Sequence, residues 1–579
     1  MNATPFVATA LAALLITSVA AADDDLPDLV AQAGRDLTGL HRVLNSGRSA
    51  MDPDPEIDGL IQFQLFHKGL IKALAGHDEL LSEVDRSPGK WAADVRELLV
   101  GGYLTRAHGR RLREDLTELV QIRTITAPAD AADGDPELQR LGQWLAAKAQ
   151  AFGLAFRAVA PNAWEISLGK GRRTIAAVAR IDAPAADAAA WRHPPYKGKV
   201  ASREVWGRGA GSGKAALVTL LYSMKSIRDA AVPLRKRLVL VVAAGSTAGP
   251  SGLLAYKRRA KLPKTTFVAG GAFPLVVGEK GIATLSIASI PGTEPDAGLP
   301  GWKVISLASE SRTDRVPSEA RAILDPRELS GRRALGAARR NLTLMRKAHP
   351  EIDATVEEEG VYIAIRFRGR TAPSATPDQG RNAAADLVVF LSDFLGVFPD
   401  HRGRLVRFLA AHIGHELDGA KLGVRGSHPI MGSTTVNLAR LTDTGSGPPT
   451  GVAEIRWPTG RRTKELLAAV RAKARAFVND AGGSITVTGT GTDPVYIDRE
   501  SPFAAALSKA YQQVARRQHA PRTVSEPTWA RHIPGAVGFG PSPAGANEDP
   551  ERKDERIGLE EIENAARIYT TALLRLLTR

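Results

Sequence analysis

The stretches RTIAAVARID at residues 173–182 and RLVLVVAAG at 237–245 are short, almost unbroken apolar runs. Between them lies KAALVTLLYSMKSIRDAA, at 214–231, in which apolar residues recur at helical spacing. Short apolar runs that alternate with helices are typical of a sheet whose strands are largely parallel and covered on both faces. The sequence therefore predicts an α/β domain, with its functional residues on the loops that leave the strand ends.

The pattern changes at about residue 286 and returns at about 494. The segments ATVEEEGVYIAIRFRG and GVAEIRWPTG are strand-like, whereas AAADLVVFLSDFL and KELLAAVRAKARAFVNDA have helical spacing. This mixture predicts a separate α+β domain over 286–493, inserted into an α/β domain whose two parts span 106–285 and 494–579.

Two further segments precede the α/β domain. Residues 23–105 are predicted to form an extra helical segment, because apolar residues recur there at three- and four-residue spacing. Residues 1–22 contain the apolar run FVATALAALLITSVA, followed by small residues, and are interpreted as a signal peptide although no Lys or Arg precedes the run. An exported protein, periplasmic or extracellular, is therefore expected. No later segment is long and apolar enough to predict a membrane span.

The composition limits the chemistry of any site. The chain has 579 residues, a formal net charge of +15 and no cysteine. Disulfides and cysteine-bound metals are therefore excluded, and a metal would need His, Asp or Glu ligands. The basic residues are spread along the chain without a nucleic-acid-binding motif. Two explanations of the positive net charge remain open: the protein binds an anionic polymer of the cell envelope, or the charge follows from a general bias in composition.

Six short motifs occur in order between Leu112 and Arg579. They are WRHPPY at 191–196, WGRGA at 206–210, FPLVVGEKG at 273–281, EIRWP at 454–458, WAR at 529–531 and FGP at 539–541. Together they resemble the framework of M20-family metallopeptidases, and most closely the bacterial dipeptidase branch. The resemblance implies a zinc-peptidase-like α/β/α catalytic-type domain with an inserted lid domain, in agreement with the change of pattern at 286.

The resemblance also implies where two divalent metals, zinc or similar, and a catalytic base would be held. Paired metals activate a bridging water, and a Glu removes its proton. By this resemblance, Arg180 stands at the first ligand His and Asp182 at the Asp that orients it. Ser212 stands at the metal-bridging Asp, and Ser246 and Thr247 stand at a pair of Glu residues, the base and a ligand. Gly270 stands at a further ligand Asp and Glu551 at the final ligand His. Only Asp182 retains the family residue.

The replacements cannot bind a zinc pair. Ser212, Ser246 and Thr247 carry neutral hydroxyls, and Gly270 has no side chain. Arg180 is a permanent cation that repels a dication. We therefore expect no metal cofactor, and we interpret the seven positions that correspond to the family's site as vestigial.

Some features of the framework survive with changed partners. Asp182 is expected to pair with Arg180 or Lys214, and Arg180 is interpreted either as a fixed charge that replaces the metals or as a solvated loop residue. In the lid, Arg456 matches a residue that helps to bind the substrate carboxylate, although an ion pair that braces the domain explains it equally well. Asp314 falls on a substrate-binding Asn of the family, and Pro373 on its catalytic His.

Three functions remain open from the sequence. The first is an exported pseudo-peptidase that binds a peptide, an envelope fragment or a protein. The second is an active M20-type metallohydrolase with a rearranged site. The third is a structural or assembly role, for example as a homodimer formed through the lid domain.

Overall fold

The computed structural model describes residues 59–73, 93–125, 135–246, 249–292, 298–310, 312–327, 329, 331–443, 447–477, 483–524, 527–542 and 553–579. The chain divides into two compact units. The first comprises Met1–Val277, Ile497–Arg522 and Thr528–Arg579, and the second comprises Gly278–Tyr496 and Thr523–Pro527. The predicted signal peptide and most of the predicted N-terminal helical segment lie outside the described residues.

The first unit contains eight α-helices among its described residues. They are α1 (Gly59–Ala73), α2 (Ala93–Tyr103), α3 (Gly109–Gln121), α4 (Pro136–Ala151), α5 (Gly213–Asp229), α6 (Ser251–Arg259), α11 (Pro502–Ala515) and α12 (Leu559–Thr578). A π-helical turn, Leu104–His108, joins α2 to α3, and 3-10 turns span Ala188–Ala190 and Trp529–His532.

The strands of the first unit form one large sheet and two small ones. They are β1 (Ala155–Ala160), β2 (Ala163–Leu168), β3 (Arg173–Arg180), β4 (Lys199–Ala201), β5 (Glu204–Trp206), β6 (Lys236–Ala243), β7 (Thr266–Ala269), β8 (Gly271–Ala272), β9 (Val276–Glu279), β21 (Arg522–Val524), β22 (Val537–Gly538), β23 (Pro541–Ser542) and β24 (Arg556–Gly558). The order β1-β2-β6-β3-β7-β22-β9 makes the large sheet. Its central strands β6, β3, β7 and β22 are parallel.

Helix α5 is buried along almost its whole length. Fifteen of its residues are buried, because α3, α12 and α1 pack against it. A helix that is apolar on all sides can sit only in the interior of a layered fold. This explains why the stretch 214–231 shows only a weak polar face in the sequence.

The helices α1 and α2 are attached to α5 by a buried polar cluster. The Asp229 carboxylate accepts a hydrogen bond from the Tyr103 hydroxyl at 3.0 Å, contacts His108 Nε2 at 3.2 Å and forms an ion pair with Lys225 Nζ at 3.1 Å. Burial opposes ionisation of Asp229, but the hydrogen bond from His108 and the charge of Lys225 outweigh it and lower its pKa. Burial lowers the pKa of His108, which is therefore neutral beside an ionised Asp229.

The second unit is an α+β domain. Its helices are α7 (Gly331–Ala348), α8 (Ala383–Val389), α9 (His401–His412) and α10 (Thr463–Ala476), with a π-helical turn at Phe390–Leu395 and a 3-10 turn at Pro377–Gln379. Its strands are β10 (Gly281–Ile290), β11 (Lys303–Ser309), β12 (Glu319–Asp325), β13 (Asp353–Glu359), β14 (Tyr362–Arg368), β15 (Ser427–His428), β16 (Gly432–Ser433), β17 (Thr435–Thr442), β18 (Thr450–Trp457), β19 (Ser484–Thr492) and β20 (Val495–Tyr496). An antiparallel sheet of order β13-β14-β12-β11-β17-β18-β10-β19 is its centre.

The second unit begins at Gly278, about eight residues before the point at which the sequence pattern changes. Strand β10 pairs along its length with β18 and β19, so residues from Gly281 onward belong to the antiparallel sheet. An α/β unit and an α+β unit that interrupts it confirm the predicted fold class. Within the described part of the chain, no helix has both the length and the apolar character that a bilayer crossing requires.

The buried His108–Asp229 contact predicts a pH-dependent stability. Because the pKa of His108 in the folded state lies below its ordinary value of 6.5, the unfolded chain binds the proton more readily. The free energy of unfolding should therefore decrease as the pH falls through about 6.5. Asp229 contributes in a different pH range. Because its pKa in the folded state is below its ordinary value of 3.8, its ionised form stabilises the fold above that pH, and this contribution is lost only at lower pH.

Urea unfolding over this pH range measures the effect. His108→Gln should flatten the slope near pH 6.5, and His519→Gln, which changes an exposed histidine, should not. Equal slopes for His108→Gln and the unmodified protein would show that His108 is not the group responsible.

Candidate functional site

The carboxyl ends of three parallel strands bring the predicted site residues to one edge of the large sheet. Arg180, the last residue of β3, is in register with Ala243, the last residue of β6, and Ala179 is in register with Ala269, the last of β7. The loops that follow these strands carry the predicted positions Asp182, Ser246 and Gly270. Sequence reasoning placed functional residues at strand ends, and the parallel register brings these ends together.

Asp182 braces the loop that follows β6. Its side chain is buried, and Oδ1 accepts a hydrogen bond from the backbone N–H of Gly245 at 3.0 Å. Burial lowers the pKa of Arg180, while the negative charges of Asp182 and Glu555 act against that shift. The charge of Asp182 thus favours the cationic form of Arg180, one of the two partners expected for it.

Lys214, which was expected as a possible partner of Asp182, binds backbone carbonyls instead. Its Nζ donates to the carbonyl oxygens of Ile122 at 2.6 Å and Val120 at 3.4 Å, at the C-terminal end of α3. These N–H donors satisfy carbonyls that have no partner within the helix. Burial lowers the pKa of this lysine to about 7, although Glu555 and Glu137 oppose the shift.

A buried carboxylate that sequence reasoning missed organises the loop before α5. Glu555 Oε1 accepts hydrogen bonds from Ser212 Oγ at 2.9 Å and from the N–H of Gly211 at 3.1 Å. Its Oε2 accepts from the N–H of Gly209 at 2.8 Å and lies 3.3 Å from Arg208 Nη1. Burial raises the pKa of Glu555, and these donors and the arginine charge counteract part of that effect. The four donors allow a carboxylate to remain in the interior.

The Ser212 hydroxyl is therefore fully used in a structural hydrogen bond. Ser212 stands at the position of the metal-bridging Asp implied by the resemblance. Here its hydroxyl donates a hydrogen bond to the Glu555 carboxyl group instead of binding a cation. The surrounding packing leaves little freedom, because a Cβ at Gly213 would lie 1.9 Å from the carbonyl oxygen of Arg180. Helix α5 thus begins in direct contact with the end of β3.

The remaining predicted positions differ in their surroundings. Ser246 Oγ accepts a hydrogen bond from the N–H of Gly249 at 2.8 Å, which closes a turn. Gly270 has a φ of +142° and open space where a Cβ would stand, and its N–H donates to the carbonyl of Gly540 at 2.7 Å. Thr247 and Glu551 lie outside the described residues.

Arg456 and Asp314, the two predicted substrate-binding residues of the lid, both form ion pairs within the second unit. Arg456 Nε donates to Glu454 Oε1 at 2.8 Å, and both side chains are almost completely buried on β18. Asp314 is exposed and accepts two hydrogen bonds from Arg312, at 3.0 and 2.6 Å, and these lower its pKa. Pro373, at the position of the family's catalytic His, forms an antiparallel bridge with Arg315, and the next residue, Ser374, donates its N–H to the Asp314 carbonyl at 3.0 Å.

The residues present do not fit a pair of divalent metals. Across the described ranges, no group of three or more His, Asp or Glu side chains is arranged to hold a metal ion. The acids at the sheet edge are already bonded, Asp182 to a backbone N–H and Glu555 to four donors. Arg180 adds a permanent positive charge where a ligand would be needed.

Comparison with known proteins identifies the class to which this architecture belongs. The model of peptidase family M20/M25/M40 matches residues 181–575, well over half of the chain. The protein therefore belongs to this family, as the motifs indicated.

Individual relatives cover most of the chain. Proteins named as predicted dipeptidases in Staphylococcus saprophyticus and Staphylococcus epidermidis are each 24% identical to it, over 80% of this chain and 96% of their own length. Among solved structures, human carnosine dipeptidase 1 aligns with a TM-score of 0.45 at 13% identity, covering 82% of this chain and 98% of its own. Aminoacylhistidine dipeptidase from Vibrio alginolyticus aligns with a TM-score of 0.47 at 14% identity, over 82% and 97%.

From the Ser212–Glu555 hydrogen bond we predict the effect of replacing Ser212 by the aspartate that the family has at this position. Ser212→Asp places a second carboxylate against Glu555 without a cation between them, and should destabilise the protein by about 3–5 kcal/mol at neutral pH. Ser212→Ala removes one hydrogen bond to a charged group and should cost about 1.5–3 kcal/mol. Chemical unfolding of both variants gives these values.

A double variant separates charge repulsion from altered packing. Ser212→Asp combined with Glu555→Gln leaves one of the two carboxylates ionised and should recover part of the loss, whereas additive effects would mean that repulsion is not the cause. The single Ser212→Asp variant should also lose less stability at acidic pH, because the folded pair holds a proton more tightly than the unfolded chain.

Proposed function

We propose that this M20-family protein is a catalytically inactive, exported homologue that binds a peptide, an envelope fragment or a protein without cleaving it. The observation that carries the proposal is the buried hydrogen bond from Ser212 Oγ to Glu555 Oε1. At the position where an active enzyme of this framework needs a metal-bridging carboxylate, the side chain is a neutral donor.

The chemistry of amide hydrolysis supports the same conclusion. A water nucleophile at neutral pH needs a metal that lowers its pKa, and a general base within hydrogen-bond reach. Ser246 stands at one of the two positions of the family's Glu pair, and its hydroxyl closes a turn with Gly249. Among the described residues, no group of three or more His, Asp or Glu side chains is arranged to hold a metal ion.

Retention of a binding function is supported by the open space at Gly270. At the same sheet edge that carries Arg180 and Asp182, a Cβ on Gly270 or Gly271 would have no described atom within 4 Å, so one side of this backbone faces open space. The curated relatives are named as dipeptidases, which favours peptides as the class of ligand. The Arg456–Glu454 ion pair favours a bracing role for Arg456 over recognition of a substrate carboxylate.

An active metallohydrolase is the alternative function, favoured by the names of the relatives and by the extent of the family match. It would require a metal site built from residues other than those at the family positions. A structural role, including a homodimer formed through the lid, remains a prediction that measurement of the oligomeric state would address.

Metal content distinguishes the inactive protein from the active one. The purified full chain, incubated with excess zinc, manganese or cobalt and then desalted, should retain no stoichiometric metal, and should leave dipeptides intact by mass spectrometry. One or two tightly bound metals per chain, with dipeptide cleavage, would overturn the proposal.

A restored variant provides the positive control. Arg180→His, Ser212→Asp, Ser246→Glu, Thr247→Glu, Gly270→Asp and Glu551→His together rebuild the ligand set and base that the family resemblance implies. This variant should bind metal and gain thermal stability from it. If it binds none although it is folded, the assignment of the positions is incorrect.

Export has its own test. After expression of the full chain in a bacterial host, the mature protein should be found outside the cytoplasm, with an N-terminus that follows Ala20 or Ala22. An intact N-terminus in the cytoplasmic fraction would contradict this part of the proposal.

A further inference from the structure

Helix α7 of the second unit carries three pairs of basic residues at a constant interval. The pairs are Arg332–Arg333, Arg339–Arg340 and Arg346–Lys347, each seven residues after the previous one, and no acidic residue occurs within the helix. Seven residues are almost two turns, so successive pairs stay on one side of the helix and lie about 10.5 Å apart.

The buried side of α7 places these pairs on the outside. Ala334, Ala338, Leu342 and Met345 are buried in the core of the second unit. The six basic side chains are all exposed: Arg333, Arg340 and Lys347 lie opposite the buried side, and Arg332, Arg339 and Arg346 lie on one flank of it. We call them the basic face of α7. An amphipathic helix normally mixes both signs of charge on its outer side, and this one has a single sign.

The interactions of the basic face with the described residues of the second unit are mainly with uncharged groups. Arg339 and Arg346 donate hydrogen bonds to backbone carbonyls of β13, those of Val356 and Ala354, and these carry no net charge. None of the six basic residues forms an ion pair with a described residue. Glu358 is an acid close to the start of the helix: its Oε1 lies 3.4 Å from the position of a Cβ on Gly331.

Exposed apolar side chains accompany the basic face. Leu344 lies on the outer side of α7 and is 52% exposed. Val361, in the turn between β13 and β14, is 78% exposed, and Tyr362 beside it is also exposed. The contact of Glu358 with Gly331 places this end of the hairpin beside the start of α7. Such apolar side chains gain nothing from a soluble polyanion, but they gain from insertion between lipid headgroups.

We propose that the basic face of α7, together with Leu344 and Val361, binds the surface of a bilayer that contains anionic phospholipids. The helix lies parallel to the surface, its arginines contact headgroup phosphates, and the two apolar side chains enter the boundary with the acyl chains. This attachment is peripheral and is independent of whether the sheet-edge site binds metal.

Vesicle co-sedimentation of the full chain tests the proposal. The protein should bind vesicles that contain phosphatidylglycerol and should not bind pure phosphatidylcholine vesicles. The triple variant Arg333→Gln, Arg340→Gln, Lys347→Gln should bind phosphatidylglycerol vesicles about a hundredfold more weakly, since each basic residue near an anionic surface contributes a similar increment.

Two further variants make the result specific. Lys170→Gln, Arg172→Gln, Lys199→Gln removes three exposed charges from the first unit and should retain binding, which controls for net charge. Leu344→Ser with Val361→Ser should weaken binding to vesicles but leave binding to heparin unchanged. Equal loss in the two triple variants would mean non-specific attraction. Binding to heparin as tight as to vesicles, with no effect of the apolar variant, would identify a soluble polyanion as the ligand and overturn the proposal.

Discussion

A buried carboxylate must have hydrogen-bond donors, and the sheet-edge site of this protein is arranged around that constraint. Glu555 lies in the interior beside the loop that leads into α5. Two backbone N–H groups, a serine hydroxyl and an arginine satisfy it, and in doing so they fix the loop's conformation. Since α5 is the most deeply buried helix of the first unit, the same interactions connect the site to the packing of the whole domain.

The site keeps the framework of the family but not the family's residues at most of the metal-ligand positions. The family's motifs correspond to turns and strand ends whose geometry serves folding, and these are retained. The positions that hold metals serve only the reaction, and here they carry a cation, two hydroxyls and a glycine among the described residues. Asp182 still binds a backbone N–H at the end of β6, so its structural role does not depend on a histidine ligand.

The fold was largely predictable from the sequence, because strands buried on both faces leave apolar runs that are visible locally. The runs at 173–182 and 237–245 became β3 and β6, and the stretch between them became α5. Glu555 was not predictable in the same way. It is 343 residues away from Ser212 along the chain, and an acid in the charged segment near 555 has no local signal of burial. The partner of Lys214 was not predictable either, because this lysine binds the carbonyl of Ile122, 92 residues earlier in the chain. The partner of Arg456 was within reach of the sequence, because Glu454 lies two residues before it on the same strand and residues at that spacing share a face.

The contrast between Gly270 and Ser212 has a consequence for the history of the site. A side chain can return at Gly270 at the expense of backbone strain alone, since space is present around it. An acid at Ser212 would stand directly against the buried Glu555 carboxyl group, so the two groups would need a proton or a cation between them. A single substitution at Ser212 therefore gives a less stable protein before any metal can bind. One hydrogen bond thus sets the order in which substitutions could lead from this chain to a metal-binding one.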